Sequence, residues 1–496
     1  MGLNSFDLVI IAVYIVGVTL FGLRFRRGQQ TVRGYFLADN AIPWWAISLS
    51  IVAAETSTLT VISVPGLAYD SNFGFLQLVF GYVIGRVLVS VLFIPQYFRG
   101  SLLTAYQLME RRFGQRLRLL TASVFLVTRA AAEGVRVFAV AIVVRVALSE
   151  ILTGMSDLQR DLVSIALVTT LTLIYTFEGG LRAAIWTDVL QQTIYVAGTI
   201  VGLFTILHLV PGGWTTVHSV ASQTDKFRIL DFSWNPATKY TIWSGIVGGA
   251  FLTMASHGTD QLIVQRLLAA RSERQAKAAL IVSGVTILAQ FPLFLLIGSM
   301  LFVDYRLFPP AHEFTRTDTI FPTFIVSRMP HGISGLLIAA ILAAAMSNLS
   351  AALNSLSSTV VVDFYARLRP KSSDRDRMKL SRVSTVSWAV ILILLALVAR
   401  RGGRVIEIGL SIASVSYGAL LGVFLLGVLT RSASERGAMV GMICGLCLNL
   451  YLWLFTHISF TWYVVLGSVV TFSLGYAASR TLWLAQPDLL RDENAH

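Results

Sequence analysis

Ile51-Val-Ala-Ala-Glu-Thr-Ser-Thr-Leu-Thr60 sets a carboxylate and four hydroxyl residues inside an apolar run that extends from 43 to 69, with Pro65 and Gly66 close behind. Such residues are weak helix formers, because short hydroxyls bond to nearby backbone and branched side chains lose rotamer freedom. Two conformations are open to the stretch. It is either a continuous helix whose hydroxyls bond back to preceding carbonyls, or a helix broken in mid-span. In the second case the freed carbonyls need partners, and a bound cation can supply one.

The run is long enough to cross a bilayer, for which about 20 apolar residues suffice. Outward from it, similar runs fill the chain: 5–24, 74–98, 119–150, 161–177, 183–210, 242–267, 277–304, 333–364, 382–400, 405–429, 436–457 and 460–484, which makes 13 candidate spans. The 496 residues are 55% apolar and only 13% charged, with a mean hydropathy of +0.72. The charged share is about half that of a soluble domain, so a soluble fold is excluded. An all-α polytopic membrane protein is expected. The apolar stretch from Phe6 to Phe25 begins without a basic segment and lacks a small-residue cleavage signature, which predicts a retained helix rather than a leader.

A net charge of +13 would suit nucleic acid, but the basic residues lie in short clusters between apolar runs and report topology instead. With the N-terminus outside and the C-terminus cytoplasmic, the cytoplasmic segments hold 25 of the 39 Lys and Arg residues, against 10 in the external ones. Basic residues favour the cytoplasmic side. The expected setting is a plasma (inner) membrane, crossed many times. Arg400, Arg401 and Arg404 run against the bias. Cys444 and Cys447 fall within an apolar helix and read as packing residues.

Ionisable groups inside spans are costly and normally face a partner or a water-filled cavity. Here they are Glu55, Arg86, Arg129, Glu133, Arg136, Arg145 and Asp188. Arg129, Glu133 and Arg136 are spaced four and three apart and so share a helical face. They form either a structural ion-pair ladder or, for Arg136, a cargo contact. In the ninth run Ser347, Ser350 and Asn354 recur at helical spacing among small residues. That pattern permits close helix packing and also offers a file of oxygens suited to a hard cation such as sodium. The 7 histidines are scattered, with no H-E-x-x-H or paired-carboxylate motif, which argues against a membrane-embedded transferase. No enzyme activity and no cofactor is expected.

Leu173-Ile-Tyr-Thr-Phe-Glu-Gly-Gly-Leu-Arg-Ala-Ala-Ile-Trp-Thr-Asp-Val-Leu-Gln191 resembles the signature of the sodium/solute symporter family, whose members include sodium/glucose, sodium/proline, pantothenate and sialic acid symporters. Asp260-Gln-Leu-Ile-Val-Gln-Arg266, the serine-rich ninth run and Tyr417-Gly-Ala-Leu-Leu-Gly-Val-Phe-Leu-Leu-Gly427 agree with it. The resemblance implies a LeuT-like core of two inverted five-helix repeats at 43–210 and 242–429, the first helix of each broken near Ala53 to Ser57 and Ser256 to Gly258. An extra helix and loop (1–42), two C-terminal helices (430–484) and a cytoplasmic tail (485–496) complete the division.

The resemblance also implies residue roles. The sodium site would use carbonyls of Ala53, Thr56 and Ala344 with the side chains of Ser347 and Asn348, the latter through its amide oxygen. Asp188 and Ser350 would form part of a second ion or proton site, incomplete because the next position is Ala351. Cargo would meet Glu55, Ser57, Thr60, Phe75, Gln77, Arg136, His257 and Ser414. A carboxylate on Arg136 would be repelled by Glu55 unless a cation, Arg86 or a cargo amine stands between them. The expectation is a symporter that uses the inward sodium gradient to take up a small, polar, carboxylate-bearing solute, an amino acid such as proline or a sialic acid-like compound. A sugar, a vitamin such as pantothenate, or coupling to protons are its variants. Sodium is the only metal expected, the lipid bilayer the only large partner, nucleic acid none, and the working unit a monomer.

Overall fold

The computed structural model describes residues 2–24, 37–99, 102, 105–175, 181–310, 313–365 and 368–484. The tail expected at 485–496, most of the loop after the first helix, and residues 176–180 of the signature stretch lie outside them. Helices account for the architecture: α1 Ser5–Arg24, α2 Trp44–Glu55, α3 Thr58–Asp70, α4 Leu76–Leu92, α5 Ala105–Phe113, α6 Gln115–Ala147, α7 Asp157–Tyr175, α8 Leu181–Leu209 and α9 Gly213–Gln223. After a π-helical turn at Ser244–Gly248 come α10 Gly249–Gly258, α11 Gln261–Leu268, α12 Glu273–Leu307, α13 Ile320–Ser327, α14 Ile333–Thr359, α15 Asp374–Ala399, α16 Val405–Leu429, α17 Glu435–Phe455 and α18 Tyr463–Leu484.

The second expected span is two helices, α2 and α3, bent by 61°. Thr56 bonds back to the Val52 carbonyl at 2.7 Å and then leaves helical geometry with ψ 56°, and Ser57 is extended. The carbonyls of the last turn of α2 are thereby released from the helical ladder. Thr60 Oγ1 donates to one of them, Glu55 O, at 2.9 Å. The seventh span is also broken, but at Thr259–Asp260, just after the expected Ser256 to Gly258. Asp260 accepts from Leu262 N at 2.9 Å and caps α11, so the new helix starts after it.

Among the described residues, eight helices are long and apolar enough to cross a membrane, and the bent pair α2/α3 makes a ninth. The count of thirteen is not reached on that measure. The first, fourth, fifth and seventh expected spans are helical, but α6 carries Glu133, Arg136 and Arg145 along its length and the seventh is divided by its break.

The two broken segments occupy the middle of the bundle. α2 packs on α8 and α12, α3 on α12, and α10 on α4. Gly81 and Gly85, four apart on α4, allow the close approach: a Cβ on Gly85 would stand 2.5 Å from the Ala250 carbonyl and 2.7 Å from Thr253. α14 rests on α6, α8 and α1. The contact with α1 is polar at one end, where the buried Asp7 carboxylate accepts from Gly332 N at 2.6 Å and Gly335 N at 3.2 Å and pairs with His331 at 2.7 Å. A carboxylate at a helix N-terminus satisfies orphan N–H groups and the helix dipole together. Asp7→Ala is expected to cost about 1–3 kcal/mol, the penalty for leaving buried donors unpaired. Thermal unfolding in detergent checks it, and an unchanged midpoint would show that α1 is only loosely attached.

Candidate functional site

A cavity of about 210 Å³ opens at the α2/α3 break. Glu55, Ser57 and Thr60 line it from the first broken segment, His257 and Asp260 from the second, and Arg136 from α6. Asn348 of α14, Phe75 and Phe291 join them. At its far end the cavity reaches Tyr106, Arg129, Arg266 and Tyr417, beside the segment that carries the basic residues 99–118. The opposite end is closed by aromatic rings. Phe75 stacks on Phe291 at 5.4 Å and meets the edge of Tyr240 at 5.3 Å.

The electrostatics inside are set by arginine pairing. Glu55 is bound by Arg86, which is fully buried and also donates to Ser283 Oγ at 3.1 Å and the Tyr82 carbonyl at 3.2 Å. The same Glu55 oxygen stands 3.6 Å from His257 Nε2, and the other His257 nitrogen pairs with Ser256 Oγ at 2.9 Å. Charge on Glu55 is thus already matched, which removes the repulsion that would bar a carboxylate cargo. On α6, Glu133 receives Arg129 at 2.8 Å and Arg136 at 3.1 Å. The ladder is paired, with Arg129 and Glu133 buried, while Arg136 remains 29% exposed and lines the cavity. One carboxylate between two guanidiniums leaves positive charge in excess, and it faces the cavity at Arg136.

Two expected cargo residues lie elsewhere. Gln77 is fully buried and pins the loop before the π-helical turn, donating to Gly74 O and Tyr240 O and accepting from Asp231 N at 2.9 Å. In that loop the Ser233 amide holds the Asp231 carboxyl below its usual range. Ser414 is fully buried on the face of α16 turned to α17, where its carbonyl accepts from Asn449; Ala413, Ser416 and Tyr417 face the cavity instead. The spacing within α16 was legible, but its rotation is fixed by packing against α17.

Of the sodium residues, Ala53, Thr56 and Ala344 are buried, and Asn348 lines the cavity near Ser57 and Arg136. Neither Ser347 nor Asn348 has a side-chain hydrogen bond to another described residue. Asp188 does not stand free: it accepts from Ser50 Oγ at 2.6 Å and from Arg266 at 2.9 Å, and Arg266 also donates to Ser50 at 2.8 Å. A second cation there gains little from a carboxylate already neutralised. Sequence reading had Arg266 as a cytoplasmic basic residue and the end of a family motif, with no partner assigned. It also missed the Tyr417 hydroxyl, which donates to Asp260 at 2.9 Å and ties α16 to the second break.

The family described as "Sodium:solute symporter family" matches residues 35–445. The chain is 31% identical to the sodium/sialic acid symporter SiaT of Proteus mirabilis over 95% of this chain and 94% of that one. It is 28% identical to the sodium/sialic acid symporter NanT of Aliivibrio fischeri, over 95% and 92%. A solved substrate-bound, outward-open sodium-coupled sialic acid symporter superposes with a TM-score of 0.80 at 29% identity, covering 96% of this chain and 98% of that one. Mhp1, a nucleobase-cation-symport-1 transporter, shares the fold with a TM-score of 0.56 at 13% identity, over 91% and 95%.

Removing one partner of a buried ion pair strands the other, at about 3–5 kcal/mol. Arg86→Gln is therefore expected to lower the thermal midpoint sharply, and adding Glu55→Gln should recover much of the loss. If single and double variants unfold at the same temperature, the pair is not coupled.

Proposed function

The chain belongs to the sodium:solute symporter family, and we propose that its coupling ion and its cargo meet at the α2/α3 break. It is a secondary active symporter: sodium entering down its gradient drives uptake of a small polar organic solute. The observation that carries the site assignment is the convergence of the Thr56–Ser57 break, Asn348 of α14 and the exposed part of Arg136 on one cavity.

Sodium would be held by the carbonyls of Ala53, Thr56 and Ala344 with Ser347 Oγ and the Asn348 amide oxygen. Neutral oxygens suit a hard monovalent ion, and these come from two elements that must be correctly placed relative to each other. Bound sodium would therefore fix α14 against the break, so that ion binding and order in the cargo pocket support one another. The relatives named as sialic acid symporters support a carboxylate cargo, as does the arginine chemistry. Arg136 offers charge-assisted donors to a carboxylate, with Ser57 beside it and Glu55, neutralised by Arg86, placed to accept from a cargo hydroxyl or amine.

The division of the chain into repeats at 43–210 and 242–429, flanked by 1–42 and 430–484, belongs to this proposal, as do an external N-terminus, a cytoplasmic C-terminus and action as a monomer. In that orientation the cavity is accessible from the cytoplasmic side. Its outer side is sealed by Phe75, Phe291 and Tyr240, and above them by a chain of charges. Tyr240 donates to Glu407 at 3.1 Å, Lys239 pairs with Glu407 at 2.8 Å, and Arg404 bridges Glu407 to Asp70 at the end of α3. Outward opening would part these groups.

Reconstituted in proteoliposomes, the protein should take up N-acetylneuraminate or proline faster with an inward sodium gradient than with potassium or choline; equal rates would sink sodium coupling. Ser347→Ala removes one ligand and should raise the half-saturating sodium concentration about five- to tenfold, corresponding to about 1–1.4 kcal/mol. Arg136→Gln should raise KM for a carboxylate cargo by about tenfold or more while leaving the sodium requirement in place. An unaltered KM would move the cargo contact away from α6.

A further inference from the structure

We propose that a second cavity, enclosed by the far ends of α6 and α7, the segment 313–327 and the turn after α15, is an anion site that takes the carboxylate of a small organic acid. It encloses about 570 Å³, and its chemistry is distinct from that of the central cavity. Five arginines, Arg145, Arg160, Arg316, Arg400 and Arg401, face three acids, Asp157, Asp161 and Glu313. The excess of positive charge is organised by one buried group. Asp161, only 5% exposed, accepts from Arg145 at 3.0 Å and from Arg400 Nε at 2.5 Å, and Arg145 reaches Asp157 with its other terminal nitrogen at 2.6 Å.

Arg400 is the ligand-binding element. Its Nε is committed to Asp161, while its terminal nitrogens have no acceptor among the described residues, and the side chain is 32% exposed. A guanidinium fork of that kind matches a carboxylate with two parallel hydrogen bonds. The fork is fixed before any ligand arrives. Arg316 donates to the carbonyls of Arg400 at 2.9 Å, Gly402 at 3.3 Å and Gly403 at 2.6 Å, and its guanidinium lies over the Phe138 ring at 5.0 Å. Backbone and side chain of Arg400 are thus both held, and binding costs less when the site is ordered in advance. Phe138, Ile142, Phe314 and Val326 supply an apolar wall, so the ligand is a carboxylate with an apolar body rather than a bare inorganic ion.

Position gives the site a use. Arg145 lies nine residues beyond Arg136 on α6, about 14 Å along the helix at 1.5 Å per residue, and at the end opposite the basic segment 99–118. Arg400 and Arg401 stand there against the charge bias of the rest of the chain. An anion held at this outer mouth would be concentrated next to the path to the central cavity, since like-signed clefts focus oppositely charged ligands.

The test uses the full chain in nonionic detergent, in potassium buffer without sodium, with radiolabelled benzoate in equilibrium dialysis. Saturable binding is expected, weakened about tenfold or more in Arg400→Gln and weakened less in Arg400→Lys. Thermal unfolding of each variant shows whether it is folded. Absence of saturable binding to the native chain, or equal binding by the native chain and Arg400→Gln, would each overturn the proposal. Phosphatidylglycerol micelles provide the second arm: if they displace benzoate from Arg400 more strongly than a tenfold excess of unlabelled benzoate does, the group recognised is a lipid phosphate and the proposal fails.

Discussion

A backbone that leaves helical geometry inside a membrane must find partners for the groups it releases, and this protein meets that constraint at Thr56–Ser57. The Thr60 hydroxyl donates to the Glu55 carbonyl, and α12 and α8 pack against the segment. The second break, at Thr259–Asp260, is met differently, with a side-chain carboxylate capping the next helix and a tyrosine from α16 tying that carboxylate in place. A cavity lined from both segments follows from having two such interruptions side by side.

Arginine is the second economy of the structure. Buried carboxylates are stabilised only with a partner, and here Glu55 has Arg86, Glu133 has Arg129 and Arg136, Asp188 has Arg266, and Asp161 has Arg145 and Arg400. Where the numbers match, as at Glu55 and Asp188, the pair is neutral and serves position. Where one acid serves two arginines, as Glu133 does, positive charge is left over at Arg136 in the central cavity. At the C-terminal end of α6 the excess has another origin, five arginines against three acids around one cavity.

The aromatic lid of Phe75, Phe291 and Tyr240 is held down by Glu407, and the arginine that bridges Glu407 to Asp70 belongs to the turn that leads into α16. That turn begins with Arg400. An anion at the outer cavity would therefore sit on the same short segment as the outer closure.

The sequence by itself determined the class of fold, because long apolar runs and the cost of unpaired backbone in lipid allow only helices. It also singled out Ile51 to Thr60 as a stretch where the helix could break, since the hydroxyl residues around Glu55 are weak helix formers, and it picked out Arg136, Glu133 and Arg129 by their shared face. Only the tertiary structure decided which charges cancel. Arg86 and Glu55 are 31 positions apart, Asp188 and Arg266 78 apart, and Asp161 and Arg400 239 apart; no helical period links such pairs. Rotation of α16 against α17, which hides Ser414 and turns Tyr417 to the cavity, and the use of Gln77 as a loop anchor were likewise settled by packing. Periodicity gives the face of a helix, but which neighbour that face meets depends on contacts distant in the chain.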